Sequence, residues 1–503
     1  MSNMHTHKRK RVKVLLIEGN AEMEMGIPPN VAILVSSLKT GGFDVNVFST
    51  SEYIHGAITG DEVRVNTLQV PPTAQSEISI KPKSTDMISD FQRVVKSFKP
   101  DIVGFSTTEP TYLKGADLLK SIEDKNIFTI AGGAYPSLCP EDVIKDDFID
   151  AVCIGEGEGP LLDLCLSMQS NKMEYNIRNV WFKVGSEIIK NSARPLSNID
   201  DTPFQDWSPW QIPPRASKAM VGEIRTTALV ELSRGCPFHC SFCANQYLNQ
   251  NFKGNYRERS VDCFIEEVEH LRSRYNLGFI YIGDETILTT PENRFHEFID
   301  KYSAIKLPFW CQTRPETIKY NKVKLLKEVG LEAINIGIES GNYEFRDKVL
   351  NRRSSDDRII NGIRDAVKAS VRVGANVIIG FPGETRDHMF ETIELVREAG
   401  PTSTMIHLFQ PYKKTALREK CVEMGLIKED HMCDDYRMTA IGTGILSATE
   451  LLGIQRTFNL YVDLPKDRWD EITEAEQFDV KGNATFVKLA REYQKKHFGR
   501  VSF

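Results

Sequence analysis

The segment LVELSRGCPFHCSFCANQ, residues 229–246, carries three cysteines in the spacing C-x3-C-x2-C. Its apolar start indicates a buried strand, so Cys236, Cys240 and Cys243 fall on the tight loop that follows the strand. Three thiolates on one loop can bind three irons of a [4Fe–4S] cube. The segment therefore predicts an iron–sulfur site at the carboxyl end of a strand.

Zinc and a two-cluster ferredoxin are the alternative readings of these cysteines. A zinc site takes a fourth ligand, and His239 is adjacent, but no second C-x2-C and no H-x3-H follows. A two-cluster ferredoxin would show a fourth cysteine nearby, and the nearest one, Cys263, falls in a helix predicted at residues 261–275. The spacing favours one cluster with one open iron.

Strand and helix patterns alternate after the cysteines. Five further strands are predicted, at residues 279–285, 308–313, 333–340, 375–384 and 404–409. With the strand before the cysteines they give six βα units, the repeating unit of (β/α) barrels. Function in such barrels sits at the carboxyl ends of the strands.

The first third of the chain shows the same rhythm. Five short strands are predicted, at residues 12–17, 43–48, 101–106, 128–133 and 150–155. Strands that alternate with helices indicate an α/β, Rossmann-like, doubly wound parallel sheet. Ligands bind at the carboxyl ends of such strands. Those ends carry Ser106, Thr108, Gly132, Gly133 and Glu156.

Composition limits the class of protein. The 503 residues carry 63 Lys and Arg against 69 Asp and Glu, and this net charge of −6 does not favour a nucleic-acid partner. No stretch reaches the roughly 20 apolar residues of a membrane span. We expect a cytoplasmic location, because ten mostly scattered cysteines suit a reducing compartment.

The segment at residues 171–220 is predicted to connect the two α/β regions. Its second half is rich in proline, which opposes regular structure. Trp207 and Trp210 lie there too, and two tryptophans favour a covered path over a loose linker. At the other end of the first region, the basic residues 1–10 are expected to form a disordered tail.

The motifs together resemble the cobalamin (vitamin B12)-binding radical S-adenosylmethionine (SAM) superfamily, which includes the class B-type radical SAM methyltransferases. The resemblance covers about residues 10–425. It implies a cobalamin-binding domain at residues 11–170, a linker at 171–220 and a partial (β/α)6 radical SAM barrel of the TIM type at 221–425. A mostly α-helical region at residues 426–503 would cap the barrel.

The resemblance also implies cofactor ligands in the barrel. Cys236, Cys240 and Cys243 would hold the cluster, whose open iron is chelated by the amino and carboxylate groups of SAM. Other strand-end residues would bind the rest of SAM: Glu285, Arg314, Glu339, Ser340 and Gly380. For each of these alone a structural role stays open, for instance an acid that starts the next helix.

Glu285 resembles the position that holds the SAM ammonium group. Arg314 offers a guanidinium to the SAM carboxylate. Glu339 and Ser340, in GIESG, resemble the ribose-binding position, since a carboxylate can accept from both ribose hydroxyls. Gly380 opens GFPGE, which shapes the adenine pocket in that family.

In the first region the resemblance assigns a cobalamin pocket to Ser106, Thr108, Gly132, Gly133 and Glu156. Small residues there would let the flat corrin approach the backbone closely.

One feature departs from many cobalamin domains, which supply a histidine below the cobalt in an Asp-x-His-x-x-Gly motif. Before residue 200 the histidines are His5, His7 and His55, and none has that context. We therefore expect that histidine does not hold the lower face of the cobalt.

The resemblance implies reductive cleavage of SAM to a 5′-deoxyadenosyl radical. A methyl group would pass through methylcobalamin to an unactivated carbon, or phosphorus, of a specialised metabolite, lipid or tetrapyrrole. The partners would be this small-molecule substrate and an electron donor such as flavodoxin or ferredoxin. Two alternatives stay open: a cobalamin-dependent cyclase or ring-rearranging enzyme that does not methylate, and a non-catalytic cobalamin or redox sensor.

Overall fold

The computed structural model describes residues 11–19, 26–53, 60–72, 83–170, 172–212, 214–434, 437 and 440–499. The chain divides into two compact units. The first unit comprises residues 1–55 and 81–215, and the second comprises residues 56–80 and 216–503. Among the described helices, none is long and apolar enough to cross a membrane.

The strands are, in chain order, β1 Lys13–Glu18, β2 Asp44–Ser49, β3 Ile102–Ser106, β4 Phe128–Gly132, β5 Ala151–Cys153, β6 Val180–Val184, β7 Glu187–Lys190, β8 Ser217–Met220, β9 Glu223–Val230, β10 Ser233–Arg234, β11 Arg257–Glu258, β12 Phe279–Ile282, β13 Phe309–Thr313, β14 Leu331–Glu339, β15 Arg372–Ile379 and β16 Ser403–Leu408.

The α-helices are α1 Pro29–Thr40, α2 Gly60–Asn66, α3 Met87–Phe98, α4 Glu109–Lys120, α5 Ala134–Leu138, α6 Pro140–Val143, α7 Glu158–Gln169, α8 Asn245–Asn251, α9 Val261–Tyr275, α10 Glu292–Tyr302, α11 Tyr320–Glu328, α12 Tyr343–Lys348, α13 Asp356–Lys368, α14 Arg386–Ala399, α15 Ala416–Glu423, α16 Ala448–Asp463, α17 Trp469–Ala475 and α18 Val480–Phe498.

The first unit is built on a seven-stranded sheet of order β2-β1-β3-β4-β5-β6-β7. Strands β1 to β5 pair in parallel, so the five predicted strands and the doubly wound fold are confirmed. The order 2-1-3-4-5 changes direction between β1 and β3, and ligands bind at such a switch point. The carboxyl ends of these two strands therefore open the crevice of the sheet.

An antiparallel hairpin extends this sheet where the sequence predicted only a connection. Strands β6 and β7 lie within the segment 171–220 and pair with β5 and with each other. Val180 and Phe182 are fully buried, in the alternation of a strand with one covered face. The difference arises because the proline-rich part of the segment lies downstream of the hairpin.

A buried carboxylate holds the chain at the end of β1. Glu18 accepts hydrogen bonds from Ser49 Oγ (2.6 Å) and Trp210 Nε1 (3.0 Å) and forms an ion pair with the buried Arg215. Trp207 and Trp210 are buried, which confirms the covered path predicted for them. A buried charge is tolerated only when it is paired and hydrogen-bonded. Glu18 therefore ties the end of β1 to Arg215, the last residue of the first unit.

The second unit contains a sheet of order β16-β15-β14-β13-β12-β9-β8. Six strands, β9 and β12 to β16, pair in parallel and in succession, which confirms the predicted partial barrel. The short strand β8 is added to one edge as a hairpin with β9. The α-helical C-terminal region is confirmed as well, in α16, α17 and α18.

The edge strand β16 is covered by a segment from the first third of the chain. Gln69 is buried; its Nε2 donates to the carbonyl of Ile406 (3.3 Å), and its Oε1 accepts the Ile406 N–H (3.0 Å). Asn459 Nδ2, on α16, donates to the carbonyl of Leu68 (3.0 Å) and to that of Thr404 (3.3 Å). One glutamine side chain thus takes the place of a neighbouring strand.

Replacing Gln69 by alanine should loosen this edge. Gln69→Ala leaves the buried Ile406 N–H without its acceptor, which costs roughly 1–3 kcal/mol of unfolding free energy. Hydrogen–deuterium exchange of residues 403–408 should accelerate in this variant. Gln92→Ala, which removes an exposed glutamine on α3, is the control and should leave that exchange unchanged. Equal protection of β16 in both variants would contradict the role given to Gln69.

Candidate active site

The cysteine loop begins at a backbone clamp made by Asp284, which follows β12. Its Oδ1 accepts the N–H groups of Leu232 (2.7 Å) and Ser233 (2.9 Å), and its Oδ2 accepts the Ser233 hydroxyl (2.6 Å). Burial raises the pKa of Asp284 to about 6, against the opposing effect of these three hydrogen bonds. The strand-end pattern predicted the neighbouring Glu285, because residue type alone does not separate adjacent acids.

Side chains from other parts of the second unit hold the loop further along. Asn249 Nδ2 donates to the carbonyl of Cys236 (2.8 Å), and Asn351 Nδ2 donates to that of His239 (2.7 Å). Ser241 binds the chain after α12 through its hydroxyl and its N–H. Gly235 has φ +83°, and a Cβ there would lie 2.5 Å from the carbonyl oxygen of Asn255. The loop is therefore fixed by backbone contacts on both sides of the cysteines.

Two arginines approach the central cysteine. Arg314 Nη1 lies 3.5 Å and Arg352 Nη1 3.7 Å from Cys240 Sγ. Burial raises the pKa of Cys236 to about 11 and that of Cys243 to about 12. Iron binds the thiolate, so metal binding must displace protons from these groups. The guanidinium groups compensate part of the negative charge that three thiolates introduce.

The three cysteines lie close together on the loop. The charge of Cys240 raises the pKa of both Cys236 and Cys243, so the three lie near one another. Among the described residues, however, no three His, Cys, Asp or Glu side chains converge closely enough to hold a single metal ion. A [4Fe–4S] cube needs no such convergence, because each thiolate binds a different iron.

The end of β14 brings Glu339 to this site. Glu339 Oε1 lies 3.4 Å from Arg352 Nη1, and both side chains are buried. Burial raises the pKa of Glu339, while the positive charges of Arg352 and Arg314 act in the opposite direction. Its backbone has φ +67°, and a Cβ at Gly337 would lie 2.5 Å from Glu339 Oε1. Gly337 therefore leaves the space that this carboxylate occupies.

Arg314 and Glu285 lie close to the same cysteines. The Arg314 guanidinium stacks 3.8 Å above the ring of Phe238, within the cysteine loop. The negative charge of Glu285 raises the pKa of Cys236 and Cys243. The Glu285 side chain reaches solvent. The pKa of Glu285 is nevertheless raised, because the surrounding protein removes water from this side chain, while a hydrogen bond with Asn245 acts in the opposite direction.

The hydrogen bonds around Ser340 and Gly380 hold the local protein structure together. Ser340 is fully buried, and its carbonyl accepts from Arg346 Nη1 (2.7 Å). The N–H groups of Gly380 and Phe381 donate to the buried Glu384 Oε2, at 2.7 and 3.1 Å. Burial raises the pKa of Glu384 to about 8. The GFPGE loop is thus closed on itself, and it meets the cysteine loop where Phe381 packs on Phe242, with ring centroids 5.7 Å apart.

Arg352 and Asn351 are site residues that the sequence analysis missed. Both follow α12 in the sequence NRRSS, which has no spacing or residue pattern that distinguishes it from an ordinary charged loop. Their contacts with the cysteine loop join residues more than 100 positions apart. Asp284 carried a weak signal, since an acid after an apolar strand end is a typical site position.

In the first unit, the candidate cobalamin residues lie at, or just after, the carboxyl ends of β3, β4 and β5. The strand register places Ser106 beside Gly132, and Ser106 Oγ accepts from Asn30 Nδ2 (2.9 Å). Thr108 precedes α4 and uses its hydroxyl and N–H with Thr111 Oγ1, at 3.1 and 3.2 Å. Its hydroxyl therefore already caps a helix.

The Gly-Gly turn and the GEGE loop are joined by Ser137, which the sequence analysis missed. Ser137 Oγ donates to the carbonyl of Gly133 (2.7 Å) and accepts the N–H of Gly155 (2.8 Å). Glu156 Oε2, in the same loop, accepts from Ser197 Oγ (3.3 Å). His5, His7 and His55, the histidines before residue 200, lie outside the described residues.

Comparison with known proteins identifies two domains. The pattern of the Radical SAM superfamily matches residues 230–396, and that of the B12 binding domain matches residues 27–164. An uncharacterised methyltransferase of Pyrococcus horikoshii is 27% identical over 348 residues, which are 67% of this chain and 73% of that protein. The anaerobic magnesium-protoporphyrin IX monomethyl ester cyclase of Cereibacter sphaeroides is 25% identical over 340 residues, or 64% of this chain and 53% of the cyclase.

A solved structure shows the same fold. The radical SAM methyltransferase TsrM of Kitasatospora setae, with cobalamin and a [4Fe-4S] cluster bound, superposes with a TM-score of 0.65 at 13% identity. The superposition covers 97% of this chain and all of TsrM.

Asp284 should control cluster binding through the backbone. Asp284→Ala removes three hydrogen bonds from the start of the cysteine loop and should cost at least about 2 kcal/mol of unfolding free energy. Asp284→Asn keeps an oxygen for the two N–H groups and should lose much less. Iron and sulfide content after anaerobic reconstitution, together with thermal unfolding, would measure both effects. Equal iron content in the two variants would contradict the clamp.

The two glycines of the Gly-Gly turn should differ in their tolerance to alanine. Gly133 has φ +104°, and a Cβ there would lie 2.5 Å from the carbonyl oxygen of Thr107, so Gly133→Ala should cost roughly 1–3 kcal/mol. At Gly132 the nearest atom to a Cβ is 3.5 Å away, and Gly132→Ala should stay within about 0.5 kcal/mol. Urea unfolding followed by tryptophan fluorescence would test the difference, and equal midpoints would refute it.

Proposed function

The chain belongs to the radical SAM superfamily, in the group whose members carry a B12-binding domain, and we propose that it transfers a methyl group from SAM through cobalamin to a small molecule. The acceptor would be an unactivated carbon, or phosphorus, of a specialised metabolite, lipid or tetrapyrrole. One observation carries this proposal: three cysteines, two arginines and two carboxylates meet at the carboxyl ends of the first four barrel strands.

The cofactors of such an enzyme are a [4Fe–4S] cluster, SAM and cobalamin, and they supply the one-electron cleavage of SAM and a transferable methyl group. The protein contributes binding, orientation and exclusion of water. Cys236, Cys240 and Cys243 would hold the cluster, and Asp284 would keep their loop in place. An external reductant such as flavodoxin or ferredoxin would supply the electron.

Charge complementarity supports the assignment of SAM to the strand ends. SAM carries an ammonium group and a carboxylate, which suit Glu285 and Arg314 respectively. Glu339 is held by Arg352 with one oxygen, so its other oxygen can accept from ribose hydroxyls. Ser340 Oγ is buried and has no hydrogen-bond partner in the part of the chain that the structure describes, and a bound ligand would complete it. Gly380 would serve through its backbone, since its loop contacts the cysteine loop beside Phe242.

In the first unit, the strand ends suit a large, flat ligand. Ser106, Gly132 and Gly133 are small residues at the carboxyl ends of β3 and β4, next to the switch point of the sheet. Glu156 lies on the loop that Ser137 ties to this turn. Thr108 would contribute through its backbone position, because its hydroxyl is engaged by Thr111.

Anaerobic reconstitution with iron, sulfide and hydroxocobalamin tests the proposal. We expect corrin absorption bands and 5′-deoxyadenosine that depends on reductant. Both the cluster and this product should be lost in the triple variant Cys236→Ala/Cys240→Ala/Cys243→Ala. Cys263→Ala, which removes a nearby cysteine on α9, is the matched control and should keep both. Cluster and 5′-deoxyadenosine without bound corrin would contradict methyl transfer through cobalamin. A folded protein with neither signal would refute the enzyme class.

A cyclase that does not methylate is the second candidate, and the similarity to the Cereibacter sphaeroides cyclase favours it. SAM with a deuterated methyl group separates the two functions. A product that carries the labelled methyl group supports the methyltransferase, whereas 5′-deoxyadenosine formed with an unlabelled product supports the cyclase.

A further inference from the structure

The concave face of the barrel sheet carries polar side chains away from the cysteines. Phe309, on β13, packs its ring against Phe298 and Tyr302 of α10, so it faces the helices. Its neighbour Trp310 stacks on Tyr281 of β12 instead and faces the opposite, concave side. The register with β14 shifts between these two residues, so it is followed from Trp310 onward. Residues paired in a parallel sheet share a face, which allows this assignment to be followed from strand to strand.

The register leads from Trp310 to the sixth strand. Trp310 pairs with Ala333, four residues before Gly337, and Gly337 pairs with Asn376. Asn376 in turn pairs with Met405, two residues before His407. Even spacing along each strand keeps all of these side chains on one face. His407, Asn376 and Trp310 therefore point to the interior of the barrel.

Two arginines from segments distant in the chain converge on His407. Gln69 binds the backbone of Ile406, which places α2 and its Arg64 next to this strand. Arg437 packs on the first turn of α2, since a Cβ at Gly60 would lie 2.2 Å from its guanidinium carbon. Burial, together with the positive charges of Arg64 and Arg437, lowers the pKa of His407 to about 4. His407 is therefore neutral at pH 7 and can donate one hydrogen bond.

Two further polar side chains lie on this face. Trp310 Nε1 and Asn376 Oδ1 are buried, and neither has a hydrogen-bond partner among the described residues. The Trp310 ring stacks on Tyr281, with centroids 4.4 Å apart and planes inclined by 18°. A buried donor and a buried acceptor without partners are uncommon in proteins, and bound ligands often complete them.

We infer that this face is the substrate subsite and that the substrate carries an oxyanion, a carboxylate or a phosphate, bound by Arg64 and Arg437 beside His407. The inference rests on the proposed function, since it names the substrate class of the same barrel. The oxyanion subsite, Arg64, His407 and Arg437, lies at the sixth strand. The residues proposed for SAM follow strands two to five, and Arg314 already provides a cation for the SAM carboxylate.

Binding of simple anions tests the subsite without knowledge of the substrate. The reconstituted holoenzyme, saturated with SAM, is titrated with pyrophosphate and, separately, with succinate by isothermal titration calorimetry. We expect saturable binding of one probe. Arg64→Gln and Arg437→Gln should each weaken it about tenfold, as expected for the loss of one charge-assisted hydrogen bond. Arg64→Lys should lose less, and Arg358→Gln, an exposed arginine on α13, should bind as the unaltered protein does.

Each outcome gives a separate answer. Pyrophosphate binding that depends on Arg64 supports a phosphate-bearing substrate, and succinate binding with that dependence supports a carboxylate. No saturable binding, or equal binding in Arg64→Gln and the unaltered protein, overturns the inference. Circular dichroism and corrin content check that the variants fold. Formation of 5′-deoxyadenosine in the same samples reports on the proposed function independently, because SAM cleavage and anion binding can fail separately.

Discussion

The candidate active site depends on the way in which one carboxylate holds the chain beyond the first barrel strand. Strand β9 ends at Val230, and the backbone then leaves the parallel sheet and forms β10, which pairs with β11 just before the cysteines. Asp284 holds the turn between β9 and β10 by accepting two N–H groups and a hydroxyl. A charged acceptor in a buried position makes strong hydrogen bonds, and it costs much when a partner is removed. The positions of the three thiols follow from this anchor.

Positive charge is the second requirement of the site. A cluster on three thiolates brings negative charge into a buried region, where burial, together with the charge of Glu285, raises the pKa of Cys236 and Cys243 and so opposes their ionisation. Arg314 and Arg352 stand beside Cys240 and also oppose the effect of burial on Glu339. The same two guanidinium groups thus support a ligand cysteine and a carboxylate at the end of β14. This shared support explains why residues from three strand ends form one site.

Much of the fold could be predicted because parallel strands buried on both faces appear as apolar runs, and turn residues mark their ends. The six barrel strands and the first five strands of the sheet follow from that pattern. The ion pair of Glu18 and Arg215 could not be found this way, since 197 positions separate the two residues and no local spacing relates them. The contact of Gln69 with β16 and the approach of Arg352 to Cys240 are non-local in the same sense. Strand-end position identified Thr108 and Gly380 as candidates, but only the hydrogen bonds show that a helix cap or a closed loop already uses them.

The contact of Gln69 with the edge strand β16 has a consequence for the modularity of the protein. Residues 56–80 leave the first unit, join the second and return, so the chain passes between the units three times. During synthesis Gln69 emerges long before its partner Ile406, 337 residues later, and such long-range pairing is slow to form. A fragment that stopped at residue 215 would carry Leu68 and Gln69, both buried in the whole chain, without the strand that covers them. Recombination of this first region with other barrels would therefore have to exchange residues 56–80 and the sixth barrel strand, β16, together.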